Sequence, residues 1–122
     1  MSVFSLKNQK EFDFVNKHGS KKHGPCFIII LSQNISSLDY PSENITFLGL
    51  KISRKFSKQA VIRNKAKRRI KHLVNILIQD FSVDINKKAL IVIPKIGFER
   101  AKFSILKEDF KKTVLQIIQK NN

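Results

Sequence analysis

The sequence predicts an α+β fold in which helices pack on a small sheet, as a two-layer sandwich. Two segments carry apolar residues at helical spacing, and three others are short aliphatic runs typical of buried strands. Their order is helix, strands, helix, strand, helix, which favours helices packed on one sheet. We expect the 122 residues to form a single domain over residues 1–122, because this length is too short for a two-domain enzyme.

The first helix is predicted over Gln9 to Lys17. Asn8 precedes it as a residue suited to cap the helix, and Glu11 occupies the position that completes a capping box. Gly19 follows the last turn, where glycine commonly ends a helix.

Three strands follow from the aliphatic segments. The first is predicted over Cys26 to Leu31, and a polar loop from Ser32 to Asn44 separates it from the second, Ile45 to Ser53. The third runs from Ala89 to Ile93 and is stopped by Pro94.

Two longer helices are predicted from apolar stripes with spacings of three and four residues. The first stripe consists of Ile62, Ala66, Ile70, Leu73 and Leu77. The second consists of Leu106, Phe110, Val114 and Ile117, in a helix that begins after Ser104.

The charge of the chain indicates a polyanionic partner. Lys and Arg number 24 against 9 Asp and Glu, which gives a formal net charge of +15. Ten of the 21 residues from Lys51 to Lys71 are basic, and no acidic residue occurs between Asn44 and Gln79. A merely solvated cationic face is the alternative, but ordinary surfaces mix charges of both signs.

The basic residues of the first long helix fall on a defined face. At 100° per residue, the side opposite the apolar stripe carries Arg63, Asn64, Lys67, Arg68 and Lys71. Lys65 and Arg69 lie at the edges of the stripe, where an aliphatic stem can pack, so we expect Arg69 to be partly structural.

Several other chemistries are disfavoured. Cys26 is the only cysteine, which excludes an internal disulfide and a cysteine-based zinc cluster. His18, His23 and His72 lack the spacing of metal ligands, and the acidic residues are too scattered for a metal-dependent protein nuclease. We therefore expect no catalytic residues and no metal site.

The location that the sequence favours is the cytoplasm. The N-terminus has no charged segment followed by an apolar one, as an export signal requires. No apolar run approaches the roughly 18 residues of a membrane span, so no membrane partner is expected.

The basic segment resembles the signature of the bacterial ribonuclease P protein component. The core of that signature, Arg-Asn-x-x-Lys-Arg, reads here as Arg63 to Arg68. The resemblance extends upstream to Leu48–Lys55, a glycine-containing strand followed by a basic pair, and to an N-terminal pattern of Leu6, Lys7, Glu11, Phe12 and Val15. It covers nearly the whole chain.

For the fold, the resemblance implies three helices and a small, mostly antiparallel sheet, in the order α-β-β-(β)-α-β-α. It also implies that the basic helix makes a left-handed βαβ crossover, as in the second domain of ribosomal protein S5. General handedness statistics would favour the opposite hand.

For function, the resemblance implies the protein subunit of an endoribonuclease whose RNA subunit cleaves the 5′ leader from precursor tRNA. The RNA would carry the chemistry with magnesium, and the protein alone would bind no cofactor. The implied partners are ribonuclease P RNA and precursor tRNA, with no obligate protein partner.

The resemblance also implies two sets of site residues. Those expected to contact the catalytic RNA are Arg54, Lys55, Lys58, Arg63, Asn64, Lys65, Lys67, Arg68, Arg69 and Lys71. Those expected in a cleft for the single-stranded leader are Phe12, Asn16, Phe27, Ile30, Lys51 and Ser53.

The leader cleft departs from the family pattern at two positions. Asn16 and Ile30 stand where many members carry an aromatic residue, and Phe14 is a candidate to compensate. Phe12 and Phe27 could instead be core residues, since aromatic side chains are common in protein cores.

Two other nucleic-acid functions compete with this interpretation. A structural RNA-binding protein, such as a ribosomal protein, would need the same basic helix but no leader cleft. A sequence-specific DNA-binding protein is less favoured, because the basic helix follows a strand and is not part of a two-helix unit.

Overall fold

The computed structural model describes residues 2–35, 38, 45–80 and 83–120. Within these ranges the strands are β1 (Ser2–Ser5), β2 (Ser20–His23), β3 (Phe27–Ser32), β4 (Ile45–Leu50) and β5 (Ala89–Pro94). The helices are α1 (Gln9–His18), α2 (Ala60–Gln79) and α3 (Phe103–Lys120), with a 3-10 turn at Phe98–Arg100. Most of the predicted loop from Ser32 to Asn44 lies outside the described residues.

The five described strands form one mixed sheet in the order β1-β4-β5-β3-β2. β4 is parallel to both β1 and β5, whereas β3 is antiparallel to both β5 and β2. The sheet is therefore not mostly antiparallel as predicted. The difference comes from β1, whose four residues Ser-Val-Phe-Ser are too short and too polar to be recognised as a strand, and which adds a second parallel pairing.

The basic helix connects two adjacent parallel strands, as the resemblance implied. β4 ends before α2, β5 follows it, and Phe47 to Leu50 of β4 pair with Ala89 to Val92 of β5. The left-handedness of this βαβ crossover stays a prediction.

Helices cover both faces of the sheet. One face, with Leu48, Leu90 and Val92, forms a core cluster with α2 and α3. The other face packs residues such as Phe47 and Ile91 against α1. The α+β fold with helices on a small sheet is confirmed, and α1 adds a partial third layer to the predicted two.

Both predicted apolar stripes are confirmed. In α3, Leu106, Phe110, Val114 and Ile117 are all buried. In α2, Ala66, Ile70, Leu73 and Leu77 are buried, Ile62 is half-buried, and Val74 joins the core.

The start of α1 follows the predicted capping pattern with one change. The Asn8 side-chain oxygen accepts a hydrogen bond from the Glu11 backbone N–H at 3.0 Å. The Glu11 carboxylate accepts from the backbone N–H of Lys7, one residue earlier than in a standard capping box. Both bonds fix the helix that carries Phe12.

Gly49 in β4 allows α1 to approach the sheet. A Cβ atom at this position would lie 2.7 Å from Phe12 Cε1 and 2.7 Å from Leu6 Cδ1, which is closer than carbon atoms pack. The absence of a side chain at Gly49 therefore lets the Phe12 ring rest on the strand.

We predict that Gly49→Ala lowers the free energy of unfolding by about 1 kcal/mol, because the added methyl group must displace the Phe12 ring and the Leu6 methyl. Urea denaturation of four proteins tests this: wild type, Gly49→Ala, Phe12→Ala and the double variant. The cost of Gly49→Ala should fall in the Phe12→Ala background. An equal cost in both backgrounds would show that the ring does not press on Gly49.

Candidate nucleic-acid interface

The outer face of α2 presents a basic surface, which we call the α2 ridge, formed by Asn64, Lys67, Arg68 and Lys71. All four residues are exposed, whereas the opposite side of the helix is buried in the core. No acidic residue occurs anywhere in α2. The ridge is thus a continuous cationic surface on a helix that the core holds in place.

Arg63 was predicted to belong to this surface, but the structure turns it toward the preceding segment. The residue is half-buried, and its Nη1 donates hydrogen bonds to the carbonyl oxygens of Ser57 and Lys58, both at 3.0 Å. Arg63 therefore holds the segment before α2 against the first turn of the helix.

Arg69 also points inward, which confirms its expected structural role. Its Nη1 donates to the Phe98 carbonyl oxygen at 2.7 Å, and its Cζ lies 5.7 Å from the centre of the Phe103 ring. His72 stacks on the same ring at 5.0 Å between centroids. Arg69 and His72 thus join α2 to α3, while Lys65 remains exposed.

The segment before α2 adds three exposed cations, Arg54, Lys55 and Lys58. Ser53 shapes it, because its carbonyl accepts from the Phe56 N–H at 3.1 Å and its Oγ accepts from the Lys55 N–H at 3.2 Å. These cations precede the N-terminal end of α2, where the helix dipole already favours anions and the first turn contains no acidic residue.

A groove of about 580 Å³ lies at the end of the sheet beside this segment. Lys51 and Ser53, both predicted cleft residues, line it. Lys55, predicted to contact the catalytic RNA, also lines it, and sequence reasoning missed the remaining lining residues: Pro25, Phe56, Ile93, Pro94, Lys95 and Ile96. Ile96 is 77% exposed, and Lys95 donates to the Gly24 carbonyl at 2.8 Å. For Pro94, Lys95 and Ile96, the position directly after the predicted strand Ala89 to Ile93 was the available signal.

Phe12 lies on the same face of the sheet as this groove. Its half-buried ring covers Gly49, and Lys51 follows two residues later, so both side chains belong to the α1 face. Asn16 is exposed and is about 40° from Phe12 around α1. The structure therefore brings Phe12, Asn16, Lys51 and Ser53 to one side of the molecule.

The prediction that Phe27 and Ile30 line the leader cleft is wrong. Phe27 is fully buried on the opposite face, edge to face with Phe98 at 6.4 Å and Phe110 at 5.7 Å between centroids. Ile30 does face α1, but it is 4% exposed and packs beneath Gly19. β3 is apolar on both faces, so its sequence could not indicate which side chains are accessible.

Phe14 does not compensate for Asn16. It lies about 200° from Phe12 around α1. Its ring packs on His18, at 4.4 Å between centroids. Phe12 is therefore the aromatic residue of α1 on the side of the groove.

The described part of the chain contains no cluster of three or more His, Cys, Asp or Glu side chains able to hold a metal ion. None of its helices is long and apolar enough to cross a membrane.

Comparisons with known proteins decide the family. The family model described as Ribonuclease P matches residues 3–118. The chain belongs to the ribonuclease P protein family. The ribonuclease P protein component of Rickettsia akari is 49% identical over 118 residues, which span 97% of this chain and 100% of that protein. The ribonuclease P protein component of Rickettsia conorii is 47% identical over 97% of this chain and 100% of that protein.

Solved structures of the ribonuclease P family share the fold. The Staphylococcus aureus ribonuclease P protein superposes with a TM-score of 0.68 at 22% identity, over 91% of this chain and 92% of that one. The Thermotoga maritima ribonuclease P protein superposes with a TM-score of 0.66 at 23% identity, over 87% of this chain and 90% of that one. Family membership assigns the chain to the protein component of ribonuclease P and so to tRNA processing.

We predict that Arg69→Ala lowers the free energy of unfolding by about 1 to 3 kcal/mol, because the Phe98 carbonyl loses a charged hydrogen-bond donor. The neighbouring variant Arg68→Ala is the control, since Arg68 is exposed and should change stability by less than about 0.5 kcal/mol. Urea denaturation measures both. Equal stabilities of the two variants would contradict the inward role of Arg69.

Proposed function

We propose that this protein binds the catalytic RNA of ribonuclease P along the α2 ridge and assists the removal of the 5′ leader from precursor tRNA. The observation that carries the proposal is the ridge itself, an exposed basic helix face without acidic residues in a ribonuclease P family member. The RNA carries out the magnesium-dependent hydrolysis, and the protein contributes binding and charge neutralisation.

The chemistry of the ridge suits an RNA backbone. Arg68 offers a planar guanidinium to phosphate oxygens, Lys67 and Lys71 offer mobile point charges, and Asn64 offers a neutral amide. Like charges four residues apart, such as Lys67 and Lys71, destabilise a helix by a few tenths of a kcal/mol. Bound phosphates would remove this repulsion, so the ridge is most stable with its partner present.

Arg63 acts in this scheme as a positioning residue. By holding the carbonyls of Ser57 and Lys58, it keeps the segment with Arg54, Lys55 and Lys58 beside the ridge. These cations and the N-terminal end of α2 extend the surface offered to the RNA toward the groove.

The leader of the precursor tRNA would follow the α1 face, from the groove past Lys51 to Phe12. The exposed Lys51 side chain suits a phosphate, and the half-buried Phe12 ring offers a face on which any base can stack. Stacking tolerates all four bases, as a leader of variable sequence requires. With Asn16 beside it instead of a second aromatic, Phe12 would provide the stacking of α1 alone.

Ser53 and Lys55 line the groove and belong to the segment that leads into α2, so both proposed RNA contacts adjoin this segment. Two polyanions, the catalytic RNA and its substrate, would meet here. A chain with a formal net charge of +15 lowers the repulsion between them.

The deciding experiment is cleavage of a precursor tRNA by the cognate ribonuclease P RNA at low magnesium, with and without the protein. We expect the protein to stimulate cleavage at the mature 5′ end, and we expect no cleavage when the RNA is omitted. Cleavage by the protein alone would overturn the assignment of chemistry to the RNA. If the protein does not stimulate cleavage, the proposed function is wrong and the alternative of a structural RNA-binding protein is favoured.

Arg68→Ala should weaken binding to ribonuclease P RNA. The slope of log affinity against log salt concentration should become less steep by about 0.7 to 0.9, the contribution of one lost phosphate contact. Lys10→Ala removes the same charge from an exposed position on α1, across the sheet from α2, and should leave the slope unchanged. Titrations of fluorescent RNA at several salt concentrations provide the slopes. The proposed contact fails if Arg68→Ala retains the wild-type slope.

Phe12→Ala should weaken binding of a leader-bearing precursor to the holoenzyme by about tenfold and change binding of mature tRNA much less, because the loss is that of one stacked base. Phe14→Ala is the matched control, a half-buried aromatic on the other side of α1. Equal losses for precursor and mature tRNA would make Phe12 a core residue only.

A further inference from the structure

A second cavity lies at the far end of the α2 ridge, away from the groove. It has a volume of about 270 Å³ between the edge strand β1 and the outer side of α2. The residues that line it are Val3, Ser5, Leu48, Lys71, Val74 and Asn75. Neither the family signature nor the proposed leader path includes this cavity.

The cavity exists because α2 leaves part of β1 uncovered. Ser5 pairs in register with Leu48, so Val3 and Ser5 face the same side of the sheet as α2. Leu48 is 5% exposed and Val74 is 1% exposed, but Val3, at the sheet edge, is 38% exposed. The result is an open cavity with an apolar floor at the border of the core.

The rim of the cavity is polar and cationic. Ser5, Lys71 and Asn75 are exposed, and they contribute a hydroxyl, an ammonium and an amide. The Asn75 amide has a donor and an acceptor side by side, which matches the pattern that base edges present. No acidic residue of α2 opposes a phosphate here.

The cavity is continuous with the ridge. Lys71 belongs to both, and Asn75 follows Lys71 by four residues, or about 6 Å of rise on the same side of the helix. An RNA strand that follows the ridge through Arg68 and Lys71 therefore reaches the mouth of the cavity.

We propose that the cavity receives one unpaired nucleotide of the RNA that lies along α2. Its base would contact Val3 and Val74, the Asn75 amide would bond the base edge, and Lys71 would contact the adjoining phosphate. The volume, just below the roughly 300 Å³ of the smallest ligand pockets, suits a single base and its sugar. Sequence-dependent RNA recognition commonly uses such unstacked bases. This inference rests on the proposed RNA binding by α2.

The test compares Asn75→Ala with Gln79→Ala in the full-length protein, using transcribed cognate ribonuclease P RNA as the probe. Both variants remove an amide from an exposed position of α2, but Gln79 lies one turn beyond the cavity. Asn75→Ala should weaken binding by about threefold to tenfold, the value of one neutral hydrogen bond. Its salt slope should equal that of wild type, because no charge is lost. Gln79→Ala should bind as wild type does.

Chemical probing of the bound RNA locates the nucleotide. In the wild-type complex the base edge of one unpaired nucleotide should be protected, and this protection should be lost with Asn75→Ala while the other protections remain. Wild-type affinity of Asn75→Ala, or an equal loss with Gln79→Ala, would overturn the cavity assignment. An affinity loss without a change at a single unpaired nucleotide would also overturn it. Failure of the wild-type protein to bind the RNA would instead remove the proposed function itself.

Discussion

The burial of one side of α2 against the sheet is the interaction on which the rest of the structure depends. Ile70, Leu73 and Leu77 are each at most 2% exposed, and truncating such a residue to alanine costs about 2 to 5 kcal/mol. Repulsion within the ridge costs only a few tenths of a kcal/mol per pair. Burial therefore outweighs charge repulsion by an order of magnitude, which allows a helix without any carboxylate to present its cations on one fixed face.

The basic residues of this helix divide into two groups with different tasks. Arg63 and Arg69 lie at the borders of the buried side, and each donates to backbone carbonyls of a neighbouring segment. The residues of the ridge point to solvent. The first group sets the positions of the segment 53–58 and the turn before α3, while the second is available to a partner. Total charge therefore overstates the number of side chains ready to meet phosphate.

The opposite face of the sheet depends on a different constraint, the close approach of α1. Gly49 allows the Phe12 ring to rest on β4, and the Asn8 cap holds the start of the helix that carries it. The approach also buries Ile30 beneath Gly19, leaving Phe12 beside Lys51 and the groove. The candidate single-strand surface thus contains Phe12 on α1 and Phe56 in the lining of the groove, with polar and cationic neighbours.

The sequence by itself determined the features that depend on local periodicity: the stripes of α2 and α3, the Asn8 cap, the basic face, and the motif that indicates the family. The tertiary structure alone decided which residues are accessible. β3 is apolar on both faces, so its sequence cannot say which face packs on which helix. Only its pairing with β5 and β2 in the folded sheet puts Phe27 on one face and Ile30 on the α1 face. β1 becomes a strand through its pairing with β4. The paired residues Ser5 and Leu48 are 43 positions apart in the sequence. The acceptor of Arg69 lies 29 residues away. Such contacts depend on packing between distant segments, which no local pattern encodes.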